Sequence, residues 1–135
     1  MQRSILTTTA VLVALGGLVL AGCGVGSGTS ESKISETTDN YLRAISSGET
    51  TKACAQLTPR ARAAIGTPCG SAMEKIASRV GPDRLADAAD QGASISVDGS
   101  TGAATLEGLD GARLHLVSAA STWLIDSGWA LDGRS

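Results

Sequence analysis

The chain has no phenylalanine, one tyrosine (Tyr41) and two tryptophans (Trp123, Trp129) among its 135 residues. Rings supply much of the buried area in small domains, so this scarcity predicts a thin core of aliphatic side chains and alanine. Histidine is as scarce. His115 stands alone, leaving a single side chain whose ordinary pKa lies near neutral pH. No basic block occurs; the formal net charge is −2 with acids and bases interspersed, which argues against nucleic acid as a partner. No Ser/His/Asp order, phosphate-cradling glycine loop or dinucleotide fingerprint is present either.

What the chain does have begins at its N-terminus. Met1-Gln2-Arg3-Ser4 gives a basic tip, residues 5–20 an apolar run, and Ala21-Gly22 small residues before Cys23. That order is a secretory signal. The run is no membrane span, because Thr7-Thr8-Thr9 and Gly16-Gly17 interrupt it and it falls short of the ~20 residues a bilayer needs. Two readings of Cys23 remain: a spare thiol behind an ordinary signal, or the acceptor of a lipid. Leu20-Ala21-Gly22-Cys23 resembles the lipobox of bacterial lipoproteins. The resemblance implies a diacylglyceryl thioether on Cys23, cleavage before it, and in some bacteria acylation of the new amine. Two or three chains, at about 0.8 kcal/mol per buried methylene, anchor a protein far better than one. The expected address is the outer face of the bacterial cytoplasmic membrane.

Removing residues 1–22 leaves 113 residues, one domain's worth, with a formal charge of −3. Cys54 and Cys69 then form an even pair in an exported chain, which points to a disulfide. A bridge closing a loop of about 15 residues contributes on the order of 3 kcal/mol. The rival, a metal or redox thiol pair, lacks both a C-x-x-C and a nearby histidine.

Residues 23–30 read as the lipidated tether, with Gly24 to Ser30 flexible and an r.m.s. span of roughly 15 Å, and residues 31–135 as the domain. Ile34, Tyr41, Leu42 and Ile45 mark one face of a helix stopping at Gly48. Residues 49–57 read as a second helix carrying Ala53, Cys54 and Leu57 inward. Thr58-Pro59 opens a third, to Ile65, and Thr67-Pro68 repeats that start for a fourth bearing Cys69, Met73, Ile76, Ala77 and Val80. Residues 83–90 are a weaker helical segment. From Gly92 the period changes to alternation, predicting strands over 93–97, 103–107, 112–119 and 121–126 separated by glycine turns. Helices first and a meander afterwards predict an α+β domain with helices on one face of a curved antiparallel sheet.

Tyr41-Leu42-Arg43-Ala44-Ile45, Gly48-Glu49, Ala53-Cys54 with Cys69, and the closing Trp123-Leu124-Ile125-Asp126 are together similar to actinobacterial lipoproteins with an NTF2-like (cystatin-like, SnoaL-like) domain. The resemblance spans about residues 31–129. It implies a cone in which the sheet wraps the first helix and leaves a pocket, with Tyr41, Leu114 and Trp123 as candidates for its lining. It carries architecture more than activity.

His115 lies between Leu114 and Leu116, so alternation turns it to the other face, beside Arg113 and Val117, as an exposed side chain rather than a general base. Asp126 ends the Trp123 strand, where a turn role outweighs an acid at the cone's mouth. Asp87, Asp90 and the residues 98–101 lack the ligand alternation of a calcium loop. Arg60 and Arg62 read as a solvated face. The resulting expectation is a non-enzymatic module binding an envelope protein or a small apolar ligand, without metal or cofactor. The alternatives are an isomerase or dehydratase using His115 or Asp126, and a purely structural surface protein.

Overall fold

The computed structural model describes residues 29–131. The signal, Cys23 and most of the tether lie outside the described residues. Among these residues five α-helices precede a four-stranded antiparallel sheet, an α+β arrangement as the periodicities predict.

Helix α1 (Ser30–Ser47) starts on Thr29, whose hydroxyl accepts the Ser32 N–H at 3.2 Å. It therefore takes in Ser30, expected in the tether. It stops at Gly48, whose φ of +78° is left-handed. Its buried face holds Ile34, Tyr41, Leu42 and Ile45. Helix α2 (Thr50–Ala55) is shorter than expected because residues 56–58 leave it to run beside the sheet. Helix α3 (Pro59–Ile65) has the anticipated start: the Thr58 hydroxyl accepts the Ala61 N–H at 3.1 Å and Pro59 occupies the first turn. The repeat of that signal at Thr67-Pro68 works differently. In α4 (Cys69–Val80) the cap position belongs to Pro68, which has no side-chain oxygen to bond with, so Thr67 does not cap. Helix α5 (Pro82–Gln91) follows at once.

Strands β1 (Ala93–Asp98), β2 (Thr101–Leu106), β3 (Ala112–Ala119) and β4 (Thr122–Gly128) pair in sequence order. The rows Ile95–Ala104–Leu114 and Val97–Gly102–Leu116–Ile125 lie on the helix side. α1 packs so closely there that a Cβ on Gly102 would fall on Ile34 Cδ1. Thr37 donates to the Trp123 carbonyl at 3.1 Å, fixing α1 to β4 inside the core. The register slips between His115 and Leu116: Leu116 faces Ile125, His115 faces Ser127, and Asp126 is the extra residue of a bulge. That bulge carries β4 on to Gly128, beyond the expected end at 126.

One pairing has no counterpart in the sequence pattern. The Ile125 N–H donates to the Gln56 carbonyl at 2.8 Å and the Thr58 N–H to the Ile125 carbonyl at 2.9 Å. Leu57 thus forms a parallel bridge to Ile125 and is fully buried. The core is as thin in rings as expected. Of the side chains with under 2% exposure only Tyr41 is aromatic, and Trp123 follows at 4%.

Candidate functional site

His115 and Asp126 come from adjacent strands and border one shallow trough of about 310 Å³ on the outer face of the sheet, floored by Ala103. His115 is exposed there, as alternation predicts. Asp126 is occupied elsewhere. Its Oδ1 accepts the Thr58 hydroxyl at 2.9 Å and its Oδ2 accepts Arg60 at 3.1 Å. Arg60 is 77% exposed, so that ion pair is screened by water and contributes little. The Thr58 bond is the stronger tie, because one hydroxyl both caps α3 and holds the β4 bulge. Asp126→Ala is expected to cost about 1–2 kcal/mol, as is Thr58→Ala. The double variant should lose clearly less than the sum, since both remove one network. Urea unfolding of the three variants measures this; strict additivity would mean separate roles.

The three residues proposed as pocket lining are placed in the core. Tyr41 and Leu114 have 0% exposure and Trp123 4%, and none borders the open grooves described here. The physical reason is the close seating of α1 on the sheet. Tyr41 is buried without a partner for its hydroxyl. Burial pushes its phenol well above the ordinary 10.0, because the anion is the form that needs water. A raised folded-state value means that the stabilisation is complete below about pH 10 and is lost as pH climbs beyond it. Tyr41→Phe is expected to raise stability by about 1–2 kcal/mol, by removing an unmatched polar atom, and to shift alkaline unfolding upward. Because Tyr41 is the sole tyrosine, tyrosinate absorbance should appear only together with unfolding. Its appearance near pH 10 with the fold intact would contradict the burial.

Cys54 of α2 and Cys69 of α4 form a disulfide, with sulfurs 2.09 Å apart. Asp90 of α5 accepts Arg43 of α1 at 2.8 Å, and Asp39, one turn earlier in α1, accepts it at 2.9 Å. These two carboxylates hold the Arg43 guanidinium above its ordinary pKa, the hydrogen bond to Asp39 most of all. Arg62 donates to the Leu57 carbonyl at 3.2 Å. No group of three or more potential ligands for a metal ion occurs among the described residues.

A second groove, of about 350 Å³, lies between α1 and the corner where α5 turns into β1. Ser35, Glu36, Thr38 and Asp39 form its helical wall, with Ala89 and Ala93 opposite. Thr38 is 2% exposed and its hydroxyl has no hydrogen-bond partner. Nothing in the sequence reading singled these residues out. The signal available was composition: a polar stripe at helical spacing, set against Ala88, Ala89 and Gly92, which are too small to fill the angle between two helices. Comparison with protein-family models, with curated proteins and with solved structures gives no match to this chain.

Proposed function

We propose that this chain is a lipid-anchored extracytoplasmic lipoprotein whose α+β domain, of NTF2-like type, works as a non-enzymatic binding module for an envelope partner. The observation that carries the address is Leu20-Ala21-Gly22-Cys23 behind a basic tip and an apolar run too short to span a bilayer. Among the described residues no helix is long and apolar enough to cross a membrane. Support for binding over catalysis comes from the two side chains that catalysis would use. Asp126 is engaged in holding α3 to the sheet, and His115 stands in an open, solvated trough.

Labelling of cells with an alkyne fatty acid tests the anchor. The native chain should take up label and partition with membranes. Cys23→Ala should take up none, and should appear in the medium or as uncleaved precursor. Unchanged labelling of the variant would sink the proposal.

One observation favours the competing isomerase or dehydratase reading, namely that His115 and Asp126 border the same trough. The pair His115→Ala and Asp126→Asn should still complement a deletion strain in full. Loss of complementation by a folded double variant would restore the enzyme.

A further inference from the structure

Strand β1 is an open edge. The far edge of the sheet is partly covered, since residues 56–58 bond to β4. β1 has only β2 beside it, and its backbone makes no hydrogen bond to another element among the described residues. An antiparallel ladder turns the N–H and C=O of every second residue away from the partner strand, so half of β1 presents unmet donors and acceptors. Natural edges are usually blunted by lysine, proline or a bulge. The stretch Ala93-Ser94-Ile95-Ser96-Val97 has none of these, the one charge of the strand being Asp98 at its end, and Val97 is 37% exposed on the helix-facing side.

The groove against α1 borders this same strand at Ala93. A strand laid along β1 points alternate side chains inward, toward the wall formed by Ser35, Glu36 and Asp39. Both charged residues of that wall are acidic. Asp39 is engaged by Arg43, whereas Glu36 makes no ion pair among the described residues. Thr38 adds a buried hydroxyl with no partner, which an occupant carrying a polar group would satisfy.

Resting on the binding-module reading above, the geometry points to β-strand addition: β1 and its groove accept an extended segment of a partner protein, with a lysine or arginine turned inward against Glu36. The backbone ladder supplies affinity, and the acidic wall selects the side chain. A second copy of this chain is the poorer occupant, because two-fold pairing of β1 with itself presents the same acidic wall from both sides.

Selection of displayed random heptapeptides on the natively expressed mature chain, purified in detergent, tests the inference. The assay reads binding whether or not Cys23 carries lipid, so its failure is separate from failure of the anchor. Enriched peptides should be alternating, with a Lys or Arg at one inward-facing position. They should bind at least tenfold more weakly to Val97→Lys and, independently, to Glu36→Lys. Bound peptide should slow amide exchange in β1 and in no other strand. Lack of enrichment, or peptides indifferent to both substitutions, overturns the inference. A concentration-dependent dimer abolished by Val97→Lys overturns it in favour of the second copy.

Discussion

Reduction of the Cys54–Cys69 bridge is expected to lower the melting temperature of the domain by roughly 12–24 °C. The cysteines are 15 residues apart, and closing a loop of that length removes about 3 kcal/mol of unfolded-chain freedom. A domain of this size shifts by roughly 4–8 °C per kcal/mol. The location of the bridge enlarges its share. It joins α2 to the first residue of α4, so it closes the segment that carries α3 and the Thr58 contact to β4. α4 has no side-chain cap, and the sulfur bond fixes the turn that a cap would otherwise hold. Calorimetry with and without a reductant measures the effect. A shift below a few degrees would show that packing alone secures α2 and α4.

Gly128→Ala should be the most damaging single methyl that can be added to the sheet. Gly128 has a φ of +116°, where an L-residue is strained. Its added Cβ would land on the Arg113 carbonyl oxygen and 3.1 Å from Leu114 Cα, both backbone atoms that cannot rotate aside. The same carbonyl accepts the Trp129 N–H at 2.8 Å, so moving it breaks the bond that fastens the final turn. The expected loss is about 3 kcal/mol or more. Gly99→Ala is the control. Gly99 also has positive φ, at +60°, but nothing lies within 4 Å of its would-be Cβ. Its loss should stay near 1 kcal/mol. Equal losses in the two variants would assign the whole effect to backbone conformation and none to the clash.

Features set by neighbours in sequence were legible. The stripe Ile34, Tyr41, Leu42 and Ile45 gave α1, and Gly48 gave its end. Alternation around Leu114 and Leu116 gave β3, and glycine turns gave the meander. The cysteine pair was legible because Cys54 and Cys69, with no C-x-x-C and no nearby histidine, leave few alternatives to a bridge. Contacts between distant segments were not. Leu57 reads as the inward face of a short helix, and only the presence of Ile125 beside it explains why the chain leaves the helix there. Asp126 reads as a strand end because a bulge is a property of two strands' registers, and one strand's pattern does not contain it. The α1 groove escaped for a related reason: it is a space between helices, fixed by the angle at which they meet.

The pairing order has a consequence for the chain as it is made. Each strand bonds to its neighbour in sequence, so the sheet can assemble hairpin by hairpin. α1 cannot do likewise, because the Thr37 bond to Trp123 joins residues 86 apart. At about 5–20 residues per second, several seconds separate the synthesis of those two ends. During that interval the oily flank of the leading helix has no floor beneath it, and the nascent chain must be shielded by whatever carries it until its closing strand arrives.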